Sequence, residues 1–225
     1  MDTAPDAVDG LRDRLAAVAV PADATPMAAY MKGRFPFLGV KTPARRLASR
    51  PLINASKRAD IDGVVDTAYR LRSQPEREFH YVASDLLAAN ARRLAVDHLD
   101  DLRHFITTDS WWDTVDALAS PTVGTMVLAH PGLVDALDEW IDDPDFWLAR
   151  TAIIHQLRFQ ERTDVDRLFR YSLRRAGDPE FFIRKAIGWA LRQYARIDPG
   201  AVRTFIDAHV EDLSPLTVRE ASKHL

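Results

Sequence analysis

Between Phe181 and Tyr194, apolar residues fall at Phe182, Ile183, Ala186, Ile187, Ala190, Leu191 and Tyr194. This three-and-four spacing places them on one stripe of a helix. Asp178-Pro179 predicts the start, with Asp178 as N-cap and Pro179 at the first helical position. Asp198-Pro199-Gly200 predicts the stop. Alternating β-branched runs are few, and no Asn-Gly or Asp-Gly pair joins two of them, so an all-α chain is expected.

The same start recurs along the chain. Gln74-Pro75 precedes Phe79, Ser110 precedes Trp111-Trp112, Asp143-Pro144 precedes Phe146-Trp147-Leu148, and Ser214-Pro215 precedes Leu216. Taking Pro75, Ser110, Pro144, Pro179 and Pro215 as anchors, the spacings are 35, 34, 35 and 36 residues. A period of this length in a helical pattern marks stacked helix pairs. Without the tetratricopeptide signature, the expectation is a curved α-solenoid of HEAT-like repeats. The 225 residues are read as one such domain, with 1–24 an N-terminal helix and connector and 25–225 the repeats.

Offsets of +3, +4, +7, +8 and +11 from the anchors are mostly apolar and predict the buried stripe: Phe79, Val82, Ala83 and Leu86; Trp147, Leu148 and Ala152; Phe182, Ile183, Ala186, Ile187 and Ala190. Offsets of +2, +6 and +10 form an adjacent stripe that mixes aromatic and charged residues. It carries Arg77, Tyr81 and Asp85; Trp112, Asp116 and Ser120; Phe146, Arg150 and Ile154; and Phe181, Lys185 and Trp189. In a solenoid, equivalent positions line one surface, which sets Asp116, Arg150 and Lys185 side by side.

Composition narrows the chemistry. The chain has no cysteine, which excludes a disulfide scaffold, a thiolate zinc site, a cysteine nucleophile and an iron–sulfur cluster, and suits a reducing cytosol. The first twenty residues include Asp2, Asp6, Asp9, Arg12, Asp13 and Arg14 without an apolar core, so no secretory signal is read there. The uncharged stretch from Ala117 to Val134 is broken by Pro121, Gly124, Pro131 and Gly132, a poor membrane span. The expected location is therefore the cytoplasm. The seven histidines show no ligand spacing, and neither a metal nor a cofactor is expected. Phosphate-loop, dinucleotide and nucleophile-elbow motifs are absent.

The net charge of −3 by itself argues against a nucleic-acid partner. It is unevenly spread: residues 1–93 balance at +4, 94–146 at −11 and 147–225 at +4. Either the acids form a solvated outer face, or the basic residues collect on another face that can neutralise phosphates.

Trp112, four residues before Asp116, projects from the same helix face. An aromatic face beside a carboxylate suits a cationic centre, and an arginine such as Arg150 can grip a phosphate with two parallel donors. Trp147, Trp140 and Phe182 read as core, and Asp113 as a structural hydrogen-bonder. Spacing alone leaves open whether Trp112 and Trp189 fill gaps between repeats or contact a ligand.

At these residues the sequence resembles the AlkD-type DNA alkylation-repair glycosylases. The resemblance rests on Ser110-Trp111-Trp112-Asp113-Thr114-Val115-Asp116, Phe146-Trp147-Leu148-Ala149-Arg150 and Phe181-Phe182-Ile183-Arg184-Lys185-Ala186-Ile187-Gly188-Trp189. It is extended by Pro26-Met27-Ala28-Ala29-Tyr30-Met31-Lys32, Phe37-Leu38-Gly39-Val40-Lys41-Thr42-Pro43 with Arg45-Arg46, Pro75-Glu76-Arg77-Glu78-Phe79, and Arg219-Glu220-Ala221-Ser222-Lys223-His224.

The resemblance implies a monofunctional DNA glycosylase that hydrolyses the N-glycosidic bond of cationic N3- or N7-alkylated purines in duplex DNA. It implies Asp116, Trp112 and Trp189 as catalytic residues and Arg150 as a DNA contact, with Tyr30 a further contact. Lys185, Arg77 and Tyr81 share the mixed stripe and are expected to meet DNA as well. The expected partner is double-stranded DNA containing alkylated bases, bound by a monomer. The acidic balance, with a pI near 6.2, predicts weaker nonspecific affinity and a smaller loss of binding with salt. The competing reading is a non-enzymatic HEAT-repeat scaffold that binds damaged DNA or a protein. A sugar glycosidase ranks last, since it needs a second opposed carboxylate and the stripe offers only Asp85.

Overall fold

Proline and an acidic residue set most of the helix starts, as the sequence predicts. The computed structural model describes residues 7–225, apart from the side chain of His224. Residues 1–6 of the expected N-terminal segment lie outside the described residues. Among the described residues all regular elements are helical. Two compact units meet in sequence at Leu94 and Ala95, where one repeat domain was expected.

The first unit holds α1 (Ala7–Ala16), α2 (Pro21–Tyr30), α3 (Thr42–Ser56), α4 (Ile61–Arg72) and α5 (Arg77–Asn90). The second holds α6 (Leu99–Thr107), α7 (Trp112–Leu118), α8 (Thr125–Ala129), α9 (Val134–Trp140), α10 (Phe146–Ile154), α11 (Val165–Arg174), α12 (Phe181–Tyr194), α13 (Pro199–Ala208) and α14 (Pro215–Ala221). Helices α5, α7, α10 and α12 each begin two residues after a predicted anchor, and α14 begins at its anchor.

The local chemistry of the starts differs from expectation in an instructive way. Asp178 is not the N-cap of α12. Its Oδ1 accepts the Glu180 N–H at 2.7 Å, and Glu180 caps the helix by accepting from Phe182 N at 3.1 Å. The same arrangement opens α10, where Asp143 accepts from Asp145 N at 2.8 Å and Asp145 accepts from Trp147 N at 2.9 Å. Proline disfavours helical geometry in the residue before it, so the first acid folds a turn and the second caps. Asp198-Pro199-Gly200 opens a helix as well: Asp198 caps α13 through Ala201 N at 2.8 Å, while α12 has already ended at Tyr194. Ser110 turns back to donate to Ile106 O at 2.6 Å and leaves α7 without a side-chain cap.

The predicted apolar stripe is the core. Phe79, Val82, Ala83, Leu86, Trp147, Leu148, Ala152, Ile183, Ala186, Ile187 and Ala190 are all buried, as is Trp140. Phe182 is half-buried. Gly188 lets α12 press against α14, because a Cβ there would lie 2.5 Å from Glu220 Cβ and 2.9 Å from Thr217 O.

Two residues of the acidic stretch, Asp138 and Asp142, pair with α11. Asp138 accepts from Arg170 at 2.9 Å and from the Tyr171 hydroxyl at 2.8 Å, and Asp142 accepts from Arg174 at 2.6 and 3.0 Å. These arginines are exposed and engaged there, away from the mixed stripe of α10 and α12.

In the first unit one carboxylate organises the loop that follows α2. Glu78, fully buried, accepts the N–H groups of Leu38, Gly39 and Val40 at 3.0, 3.0 and 2.9 Å. Gly39 is required there: its φ is +89°, and a Cβ would fall 2.2 Å from Val20 O. Charge-assisted bonds contribute roughly 1.5–3 kcal/mol each, and unpaired buried N–H groups cost comparable amounts. Glu78→Ala is therefore expected to lower unfolding stability by at least about 3 kcal/mol. Urea denaturation of the purified protein measures this, and Glu78→Gln is expected to lose less.

Candidate active site

Asp116 lies one turn after Trp112 on α7, and the helix winds differently shortly after it. Residues Ala119–Gly124 form a π-helical segment between α7 and α8. Pro121 lies inside this segment and has no N–H to give to the preceding turn, so the wider winding accommodates what a regular α-helix would not. Segments of this kind cluster at functional sites.

From α10, Arg150 meets Asp116 side-on. Arg150 Nε donates to Oδ1 at 2.7 Å and Nη2 donates to Oδ2 at 2.8 Å, a bidentate pair. The remaining terminal nitrogen, Nη1, donates to the main-chain oxygen of Phe182 on α12. The Asp116 side chain is 17% exposed and that of Arg150 is 5% exposed. The Asp116 side chain keeps some exposed surface, while that of Arg150 is almost wholly enclosed.

Burial pushes the Asp116 carboxyl above its ordinary value. The hydrogen bonds and charge of Arg150 oppose that push, and the nearby Asp113 adds to it. Asp113 itself bonds locally, its Oδ1 accepting from Thr114 N at 2.9 Å.

Aromatic rings cluster beside the pair, the Arg150 guanidinium lying 5.9 Å from the Phe182 ring centre. Trp111 stands edge-on to Trp147 and Phe182, with centroids 6.0 and 5.1 Å apart, and Trp147 lies 5.0 Å from Phe182. Phe146 and Phe182 are parallel at 6.4 Å. Trp112 and Trp189 are half-buried.

The other expected DNA contacts separate into several environments. Lys185 is half-exposed on α12, its Nζ 3.1 Å from Glu220 Oε1. Tyr30, at the end of α2 in the first unit, is 68% exposed. Tyr81 is half-buried, with the Arg45 guanidinium 4.6 Å from its ring centre. Arg77 requires correction. It has no exposed surface, lies 3.6 Å over the Phe35 ring, and its Nη1 is 3.0 Å from His80 Nδ1. Since His80 Nε2 meets Gln74 O at 2.8 Å, the network assigns His80 the neutral tautomer that accepts from Arg77. A guanidinium enclosed in this way is a core cation and cannot meet a phosphate. Arg150, expected to grip a phosphate with two parallel donors, spends that edge on Asp116.

Glu220 was not singled out from the sequence. Buried on α14, it is surrounded by Lys185, Arg192 at 3.0 Å and Lys223 at 2.8 Å to both oxygens. The Lys223 hydrogen bonds and those of Lys185, reinforced by both charges, outweigh desolvation and hold its carboxyl down at about 2. Its cue in sequence is the Arg219-Glu220 pair beside Lys223, which shows charge without showing burial.

A family model for the DNA alkylation repair enzyme matches residues 11–225. The chain belongs to that family. A protein of Enterococcus faecalis described as a predicted DNA alkylation repair enzyme is 33% identical, with 92% of this chain and 96% of that one covered and a TM-score of 0.86. Two Streptococcus mutans structures share the fold at lower identity. AlkD2 is 16% identical over 79% of this chain and 88% of its own, with a TM-score of 0.62. The smu.31 protein of strain UA159 is 15% identical over 80% and 94%, also with a TM-score of 0.62. No curated protein matches the chain. Among the described residues no helix is long and apolar enough to cross a membrane, and no group of three or more His, Asp or Glu is placed to hold a metal ion.

Within this alkylation-repair fold, two titrations are expected to separate the roles of the buried carboxylates. Removing the opposing influence in Arg150→Gln should raise the Asp116 titration midpoint further, as read by carbon-13 NMR of the carboxyl. It should also cost about 3–5 kcal/mol, the usual penalty for breaking a buried pair. For Glu220 the sign is opposite: its folded-state value lies below the ordinary 4.5. Its stabilising contribution is thus present above about pH 4.5 and lost as pH falls toward about 2. Melting temperatures across that window should fall less steeply in Glu220→Gln than in the wild type.

Proposed function

We propose that this protein is a DNA glycosylase that excises cationic N3- or N7-alkylated purines from duplex DNA. The observation that carries the reading is the partly exposed Asp116 side chain, held by a buried bidentate arginine and one helical turn from Trp112. Membership of the alkylation-repair family supports alkylated DNA as the substrate.

Alkylation at N3 or N7 gives the purine a positive charge, so the base leaves as a neutral molecule when the glycosidic bond breaks. The bond's electron pair goes to the base nitrogen, and no general acid is required. The sugar is left with oxocarbenium character at C1′, which a fixed carboxylate stabilises. Water, oriented by Asp116, then adds at C1′ on the face away from the departing base, and its proton passes to bulk solvent. Trp112 and Trp189 offer aromatic faces to the cationic lesion and its sugar. In this scheme Arg150 acts through Asp116: it fixes the carboxylate plane and favours its ionised form against the upward push of burial. Tyr30, Lys185 and Tyr81 are proposed contacts to DNA, which the protein binds as a monomer.

The test is incubation with methylated duplex DNA and chromatography of released bases. Free 3-methyladenine or 7-methylguanine is expected from the wild type. Asp116→Asn is expected to bind the duplex with similar affinity and to lose at least about a hundredfold in excision rate, the usual scale for removing an electrostatic stabiliser. Tight binding of methylated DNA by the wild type without base release would instead favour a non-enzymatic scaffold. Wild-type release rates in Asp116→Asn would overturn the residue's assignment.

A further inference from the structure

With Arg150 turned inward, the strand that carries a lesion needs its phosphates held by other cations. On α12, Lys185, Trp189 and Arg192 are spaced four and three residues apart and share one stripe. The two cations thus bracket Trp189 along the helix. Both reach the same carboxylate: Lys185 Nζ lies 3.1 Å from Glu220 Oε1 and Arg192 Nη1 lies 3.0 Å from Oε2. Lys223 adds a third ammonium, 2.8 Å from each oxygen. Glu220 sits directly against the turn that bears Trp189, because its Cβ occupies the space a side chain at Gly188 would take.

Three cations on one buried anion leave a net charge of +2. Glu220 is 7% exposed as a side chain, whereas Lys185, Arg192 and Lys223 are 36%, 23% and 47% exposed. The anion is underneath and the cations are outside. Lys185 uses one of three ammonium hydrogens on Glu220, and Arg192 one of five guanidinium hydrogens. The cluster is therefore preorganised, since its long side chains are already ordered, and it retains donors for an external anion.

We propose that Lys185, Arg192 and Lys223, gathered by Glu220, grip a backbone phosphate of DNA beside Trp189. This rests on the DNA reading above and adds Arg192, Lys223 and their anchor to it. Arg192 and Lys223 are phosphate contacts, and Glu220 is a positioning residue.

Fluorescence anisotropy of a short undamaged duplex, titrated across potassium chloride concentrations, tests this without relying on catalysis. Each lost phosphate contact reduces the slope of log affinity against log salt by about 0.9, equivalent to about eightfold weaker binding near 0.1 M salt. Arg192→Gln and Lys223→Gln are each expected to approach that loss, and the double variant to lose more. Glu220→Gln, with its fold intact by circular dichroism, should lose the ordering of the three cations and weaken duplex binding, and Glu220→Asp should recover part of the affinity; unchanged affinity in Glu220→Gln overturns the positioning role. Replacing chloride by inorganic phosphate at equal ionic strength should leave wild-type affinity nearly unchanged. Abolition of binding by inorganic phosphate would make the cluster a small-anion site and overturn the proposal. A wild type that binds duplex DNA while both Gln variants match it in affinity and slope overturns this proposal alone. A wild type that binds no duplex overturns the DNA reading with it.

Discussion

Arg150 joins three helices through one planar group. Its guanidinium reaches α7 through both oxygens of Asp116 and α12 through the main-chain oxygen of Phe182, while its own backbone belongs to α10. A buried pair of this kind is poor as pure stabilisation, because desolvating two charges offsets much of their attraction. Its value is geometric. The planar fork permits few arrangements, so the carboxylate is fixed in angle as well as place, and each helix is held in register with the other two. The ring cluster of Trp111, Phe146, Trp147 and Phe182 meets the pair through Phe182, whose ring centre lies 5.9 Å from the Arg150 guanidinium.

That arrangement was only partly legible in the sequence. The helix starts and the buried stripe were, because proline, acidic caps and three-and-four spacing act within a few residues. The adjacency of Asp116 and Arg150 followed from the repeat period. What Arg150 does with its donors did not follow, since the choice between a phosphate and an in-house carboxylate depends on interhelical distances that spacing does not encode. Arg77 shows the same limit. Its +2 offset borders the apolar stripe, and only the facing Phe35 ring and an accepting His80 decide that it turns inward. Glu78 and Glu220 went unnoticed for a related reason: each is a buried acid whose partners lie on other elements.

Charge distribution is better described by pairing than by balance. Asp138 of α9 and Asp142 just after it pair with arginines of α11, and Asp143 with Arg103 of α6, so part of the excess negative charge is locally neutralised. The cations of α12 and α14 share a single buried acid. A whole-chain value of −3 averages two surfaces with different electrostatic character, and association with a polyanion responds to the local one.

The π-helical segment has a consequence for how this protein tolerates change. Asp116, before the segment, is tied to Arg150 on α10, and Gly124, at its end, packs so closely that a Cβ would lie 2.2 Å from the oxygen of His155 just past α10. Both ends of the segment are thus referenced to the same helix. Losing one residue between them, with the stretch rewound as ordinary α-helix, would leave the two ends at nearly the same angle, because a π turn already holds about one residue more than an α turn. In residues 119–124, the winding takes up a residue. A one-residue deletion that would turn an ordinary helix about 100° out of register would here leave the carboxylate close to its arginine.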